Sequence, residues 1–447
     1  MVKSGTNLAE PALSEISVAG LKSIGDRQSI EIRPLTILAG ANSSGKSTMM
    51  QGLLLLKQTL EASYDPGPLL LNGPNVRFSS VEQLCTRIAG KKANKRSFEF
   101  GLGRMVPARN EALLRLGFES GSKESSEPIG LKYQEEGTLE RFQRLSLDLS
   151  SEAIRKTLVV DKKALDIVEN FYGDASLSIV RDRCFLNLIV TKSNGSVSKL
   201  GDVREADLIY DVLHLPGLRG NPTRTYPLTA VGERFPGTFE HYSASVIAKW
   251  TRENDPRLEI LGQQLRDIGL TWKVRAERVD DTQVELKVGR LPKSKRNSSN
   301  DLVSIADVGL GVSQTLPVLV SLLVAKPGQL VYIEQPEIHL HPRAQTALAP
   351  IIADAANRGV RAVIETHSSL LLLGIQSLVA EDKLDASKVK LHWFQRSDKT
   401  GMTSVRSADL DEVGRFGDWP EDFGDVSLEA DVRYLNAVDI KRAQKGI

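Results

Sequence analysis

The sequence predicts an α/β fold built on a parallel-rich sheet, and three observations carry that prediction. Residues Gly40–Ser47 read G-A-N-S-S-G-K-S and fit the pattern G-x-x-x-x-G-K-[ST] without a mismatch. They stand between an apolar, β-prone run, Leu35–Ala39, and a proline-free apolar run, Thr48–Leu60, so the motif has a strand before it and a helix after it. Far downstream, the apolar runs Leu330–Ile333 and Ala362–Ile364 each lead into polar, acidic residues, as buried strands of such a sheet do at their carboxyl ends.

Taken in order, residues 12–62 read as strand, turn, strand, phosphate loop and helix. Ile16-Ser17-Val18 and Ser29-Ile30-Glu31-Ile32 flank the turn Gly20–Gly25, and Leu53–Leu56 mark a buried helix. Residues 63–300 are mixed. They hold the glycine- and proline-rich Asp65–Pro74, the basic run Lys91–Arg96, alternating strands such as Phe185–Val190, and a proline-bearing connection from Leu215 to Pro236. Residues 301–395 return to close alternation of helix and strand. No internal repeat and no sustained heptad is present, which argues against a coiled-coil arm. The division expected is 12–85 and 301–395 as two halves of one core, 86–300 as a mixed α/β lid, and 396–447 as a small extension.

Composition narrows the class. The chain has 447 residues, 41% hydrophobic and 26% charged, with a net charge of +2. That is ordinary globular usage, enough for about two to three domains, and near-neutrality gives no bulk reason to expect nucleic acid. Two distant cysteines, Cys85 and Cys184, point to a reducing compartment and away from a disulfide framework or zinc site. No apolar run is long enough to span a bilayer and Met1–Glu10 is polar, so a cytoplasmic protein without membrane association is expected.

The motif implies its chemistry. Two glycines let successive backbone N–H groups turn inward on phosphate oxygens, and the helix N-terminus adds its positive end. Lys46, expected to be exposed in the empty loop, reaches the β- and γ-phosphates, and the Ser47 hydroxyl ligates Mg²⁺. Glu334, closing the run Leu330–Ile333, is placed to hold the Mg²⁺ shell. His367, after the neighbouring strand, can donate to a γ-phosphate or to an attacking water. Upstream, Asp307-Val308-Gly309-Leu310-Gly311-Val312-Ser313-Gln314 precedes an apolar helix and makes a second anion-binding end, which would serve a partner copy's nucleotide across a dimer.

In that order, Gly40–Ser47, Asp307–Gln314, Tyr332–Pro342 and Ile364–Ser368 resemble the ABC-type ATPase heads of the RecF, SMC and OLD-like group. The likeness is greatest to short bacterial AAA-type proteins carrying E-Q-P-E-I-H-L-H-P and E-T-H-S, whose tail holds a W-P-x-x-F pattern matched here by Asp418–Phe423. The likeness covers about residues 12–85 and 301–430 well and the middle poorly. It implies a P-loop NTPase of ABC-ATPase type that binds ATP and Mg²⁺ between two subunits. Residue by residue, it implies that Lys22 touches phosphate or the nucleotide edge, and that Asn42, Ser43, Ser44 and Gly45 offer backbone N–H groups beside Lys46, Ser47 and Thr48. Gly311, Ser313 and Gln314 would contact the γ-phosphate in trans, His341 and Pro342 would form the D-loop, His367 would be the switch histidine, and Gln83 is a candidate for the Q-loop.

One departure bears on turnover. Such ATPases usually show Asp-Glu-Pro, with the Glu as general base, whereas this chain has Glu334-Gln335-Pro336. An amide cannot accept a proton at neutral pH, although it can orient a water. Slow hydrolysis and a long-lived ATP-bound pair follow; the rival is ordinary turnover using Glu337 or His367. The resemblance also implies a separate effector, such as a nuclease in bacterial anti-phage defence. The alternatives are a RecF-like DNA-binding clamp in repair and an autonomous OLD-type nuclease. Asp409-Leu410-Asp411 superficially fits that nuclease's D-x-D and reads instead as a solvated loop. The clusters Lys91, Lys92, Lys95, Arg96 and Lys293, Lys295, Arg296 would supply sequence-independent DNA contacts.

Overall fold

A computed structural model of the chain describes residues 11–87, 96–106, 109–121, 129–138, 141–158, 175–200, 203–290 and 301–417, with 432–433, 435–436 and 438 of the tail. Strands β1 (Ala12–Ala19), β2 (Gln28–Glu31) and β3 (Leu35–Gly40) lead into helix α1 (Lys46–Glu61). Next come β4 (Ser97–Val106), β5 (Arg109–Ser120), β6 (Ile129–Thr138), β7 (Arg141–Leu145) and α2 (Ser151–Leu158). After β8 (Ser176–Asp182), β9 (Phe185–Thr191) and β10 (Val197–Leu200), the chain forms α3 (Glu205–Tyr210) and β11 (Leu213–Leu215). A helical and hairpin segment follows, with β12 (Tyr226–Pro227), α4 (Ser243–Glu253), α5 (Arg257–Asp267), β13 (Val274–Arg278), β14 (Gln283–Gly289) and β15 (Leu302–Ser304). The last part alternates: α6 (Leu310–Val324), β16 (Leu330–Glu334), α7 (Pro342–Asn357), β17 (Arg361–Glu365), α8 (Ser369–Ala380), β18 (Val389–Arg396) and β19 (Thr403–Asp409).

The central sheet has the order β11-β16-β17-β3-β18-β19. It is parallel from β11 to β18, and β19 returns antiparallel. Its parallel strands are largely buried because both faces are covered, and the period of two divides their apolar residues between the faces. Leu35, Ile37, Ala39, Val331, Ile333, Ala362 and Ile364 face a core shared with α4–α8. Leu38, Leu330, Tyr332, Val363 and Phe394 face a second core shared with α1, β1 and β4.

That second core is closed by an antiparallel sheet of order β2-β1-β4-β5-β6-β7. Helix α1 lies against it so closely that a Cβ at Gly52 would come within 2.7 Å of the Phe100 ring. Phe100 is held in turn by Phe98 and Phe118, with ring centroids 5.5 and 5.4 Å away.

Two expectations about organisation need correction. Residues 86–300 are not one lid, because β4–β7 continue the sheet that β1 begins and β11 is an edge strand of the central sheet. The core does not stop at 395 either. That boundary falls inside β18 and cuts it from its hairpin partner β19, while Leu410 and Phe416 are buried in the helical core. The W-P-x-x-F segment, Lys91, Lys92, Lys95, Lys293, Lys295 and Arg296 lie outside the described residues.

Candidate functional site

The loop between β3 and α1 takes its shape from two glycines and one strained serine. Gly40 has φ 137°, Ser43 φ 60° and Gly45 φ 108°, all in the region glycine enters most easily. Space is limiting as well. A Cβ at Gly40 would press on the Phe394 carbonyl of β18, and one at Gly45 would lie 2.6 Å from Thr403 Oγ1. Thr403, the first residue of β19, donates to the Ser44 carbonyl at 2.7 Å and sits 2.8 Å from Ser23 Oγ. The β18–β19 hairpin therefore clamps the loop to the β1–β2 turn, a role nothing in the motif itself signals.

Asn42 and Ser43 are exposed, whereas Ser44, Gly45 and Thr48 are buried and Ser47 is half-buried. Lys46 departs from expectation: it is only 3% exposed. Its ammonium donates to the carbonyls of Gly40 and Ala41, both at 2.9 Å, so the loop folds around the charge it would otherwise leave in solvent. Burial lowers its pKa, against the attraction of Glu365 and Glu337.

Lys22 enters the same cavity from the β1–β2 turn, with φ 47°. Its ammonium donates to Gln51 Oε1 of α1 at 2.9 Å and lies 4.6 Å from the centre of the Phe78 ring. The cavity encloses about 930 Å³ and reaches from the phosphate loop to the β18–β19 turn, where Arg396 and Lys399 line it with Arg87 opposite. Gln83 reaches the rim, but both ends of its amide bond to Ser79, so the Q-loop candidate is engaged by its own turn.

At the carboxyl ends of β16 and β17 the acids sort differently from the sequence reading. Ser47 Oγ lies 3.0 and 2.9 Å from the two carboxylate oxygens of Glu365. Tyr332 donates its hydroxyl to the same carboxylate at 2.9 Å. Glu334, the expected metal-shell residue, is bound elsewhere: His214 Nε2 is 3.1 Å from Oε1 and the Gly217 N–H donates to Oε2 at 3.3 Å. His214 also meets Asn75 Oδ1 at 3.1 Å and stacks on Tyr332. Burial acts to raise the Glu334 pKa, but the His214 bond and charge prevail and hold it below the usual carboxylate range. Glu365 goes the other way, raised by burial and by the neighbouring Glu334.

Gln335 has φ 45°, and its N–H donates to the Glu365 carbonyl at 2.7 Å. Its side chain is half-buried and makes no hydrogen bond among the described residues. Glu337 is 9% exposed. One of its oxygens accepts from Thr366 Oγ1 at 2.7 Å and from the His367 N–H at 2.8 Å, while the other has no partner among the described residues. His367 is half-buried, and burial together with Lys46 lowers its pKa, which favours the neutral ring at physiological pH.

Helix α6 opens with Gly309 at its N-cap, and no residue of 307–314 lines the phosphate-loop cavity. Gly311 and Ser313 remain half-exposed at that helix start. Gln314 is 4% exposed, and in this single copy its amide is used inside the chain. Its carbonyl oxygen accepts from the Arg219 N–H at 3.2 Å, and its NH₂ donates to the Gly220 carbonyl at 2.6 Å. Arg219 also donates to the Glu334 carbonyl at 2.6 Å, tying the helix start to the end of β16. Burial lowers its pKa to about 10. His341 caps α7, its Nδ1 accepting from the Arg343 N–H at 3.3 Å.

The site suits a nucleoside triphosphate and a divalent cation. The buried Ser44 Oγ in the loop and the buried Glu337 Oε2 are both unpartnered among the described residues, and the Lys46 ammonium and Ser47 hydroxyl are gathered at the same helix start.

Residues 239–373 match a protein family described as "AAA domain, putative AbiEii toxin, Type IV TA system". A comparison with curated proteins found no match. Among solved structures, the chain is similar to a Smc head bound to the C-winged helix domain of ScpA, at 14% identity over 90% of this chain and 98% of that one, with a TM-score of 0.49. It is similar to a Smc head with an extended coiled coil bound to the C-terminal domain of ScpA, from Pyrococcus furiosus, at 12% identity over 96% and 100%, with a TM-score of 0.45. An SMC head domain from Thermotoga maritima gives 10% identity over 89% and 100%, with a TM-score of 0.40. The described residues form an α/β fold with a phosphate loop between β3 and α1, and the segment 239–373 matches an AAA domain. No described helix is long and apolar enough to cross a membrane.

Proposed function

We propose that this chain binds ATP–Mg²⁺, closes as a pair around it, hydrolyses it slowly, and in the ATP-bound state gates a separate effector, a nuclease in bacterial anti-phage defence. The carrying observation is the division of labour in one copy. Lys46 and Ser47 stand at a large cavity to which the 307–314 segment contributes nothing, so a second copy's helix start is what remains to cover the γ-phosphate. Mg²⁺, when bound, neutralises charge on the β- and γ-phosphates. Lys46 leaves the Gly40 and Ala41 carbonyls for those phosphates, and His367 donates to the γ-phosphate from the end of β17. Gln335 orients water without taking its proton, so the closed state persists.

Placing the cutting chemistry on a partner is favoured by Asp409, whose carboxylate is paired with Lys390 at 2.8 Å and Arg33 at 2.9 Å. A D-x-D metal pair at 409 and 411 would have to break both ion pairs.

The test is binding of a fluorescent ATP analogue by wild type and Lys46→Ala, with thermal melting of each. The expected result is binding by wild type and its loss in a folded Lys46→Ala. Equal affinity in the folded variant would overturn the site.

A further inference from the structure

A serine hydroxyl that ligates a cation must point a lone pair at the metal and send its single proton elsewhere. The residue that takes the proton fixes the hydroxyl's direction and sits beside the metal. The carboxylate that accepts from Ser47 is that of Glu365, with its two oxygens at 3.0 and 2.9 Å. We propose that Glu365, and not Glu334, is the carboxylate that orients Ser47 and holds the water shell of the Mg²⁺ ion. The proposal rests on the nucleotide reading of the phosphate loop and names the residue that completes it.

The strand order supplies the reason. The neighbour of β3 is β17, and β16 lies one place further out. Parallel strands are about 4.8 Å apart, so the last residue of β16 starts about 10 Å from β3, twice the separation of the last residue of β17. Glu334 and Glu365 are register partners at the ends of these two strands. The nearer acid takes the serine.

Glu365 is also the better supported of the two for this task. Tyr332, fully buried, donates to its Oε2 at 2.9 Å and leaves the carboxylate a preferred orientation. Glu334 is committed to the β11 side of the sheet by His214 and the Gly217 N–H. Releasing it toward Ser47 would strand His214, which is buried between Asn75 and Glu334.

The experiment measures the affinity of the full chain for a fluorescent ATP analogue in excess Mg²⁺ and in EDTA, and takes the ratio. Glu365→Gln should cut the gain due to Mg²⁺ by about 10–100-fold, the usual cost of losing a residue that orients a metal ligand, while affinity in EDTA is kept. Glu365→Asp should recover part of the gain, and Glu334→Gln should retain most of it. A gain that survives in Glu365→Gln and disappears in Glu334→Gln would overturn the proposal. If Glu365→Gln does not fold, Tyr332→Phe removes only the orienting hydroxyl: a reduced gain supports the proposal, and an unchanged gain overturns it. A wild type that binds no analogue with or without Mg²⁺ would instead overturn the nucleotide reading itself.

Discussion

Gln335 and Glu337 stand two residues apart past the end of β16 and divide what a single general base would do. Gln335 has a free amide and no proton affinity; Glu337 has a carboxylate, but one oxygen already holds Thr366 and the His367 N–H. Phosphate release at saturating ATP should therefore be slow in wild type. Gln335→Glu should accelerate it, up to the roughly 10²–10⁴-fold that general-base help is worth. A fast wild type that loses activity only in Glu337→Gln would make Glu337 the base. A second residue-scale prediction concerns His392, fully buried on β18 between Ser407 Oγ at 2.8 Å and the Glu31 carbonyl at 2.9 Å. Burial lowers its pKa to about 4 from 6.5. Between those values the unfolded chain binds more protons, so the stability His392 contributes is complete above pH 6.5 and is lost as pH falls toward 4. That loss is about 3 kcal/mol. Denaturant melts at pH 7 and pH 4.5 should show the fall in wild type and a smaller one in His392→Gln; an equal fall in both would reject the assignment. At this scale the motif residues were legible in the sequence, because G-x-x-x-x-G-K-S specifies backbone and side chain together. The exchange of Glu334 for Glu365 was not, because it depends on which strand neighbours β3, and strand order is not written in either local run.

Among the elements, α1 and the β18–β19 hairpin fix the loop from two sides. At Gly52 helix α1 comes close to the antiparallel sheet: a Cβ there would lie 2.7 Å from the buried Phe100 ring. Gly52→Ala should destabilise by about 1–3 kcal/mol, the usual cost of overpacking, despite alanine's better helix propensity. An unchanged or higher denaturation midpoint would show that Phe98, Phe100 and Phe118 can shift. The elements that sequence reading caught have long runs and punctuating glycines, such as β3, α1, α6, β16 and β17. Those it missed are short or polar on one side. β11 is three residues, and β19 reads T-S-V-R-S-A-D with Thr403 alone buried. Such a strand gains its place from pairing with β18, which is a non-local fact.

For the molecule as a whole, the proposed closure makes the phosphate loop and the α6 start two halves of one site. Among the described residues the Ser313 hydroxyl bonds only to the Leu310 carbonyl of its own turn, at 3.1 Å, and Gly309 has open space where a side chain would be. Both are consistent with a surface awaiting an anion. The proposed pairing of copies starts from the redundancy of anion-binding ends in one chain. The division into core and lid was read too simply, because the segment 86–300 builds parts of four sheets. The most direct test of the proposed closure is the mass of the chain in solution, without nucleotide and with saturating ATP–Mg²⁺. The account predicts that the mass doubles with ATP and stays doubled over many minutes, and that Lys46→Ala and Ser313→Arg remain single. A mass that ATP leaves unchanged, or that doubles equally in Ser313→Arg, would contradict it.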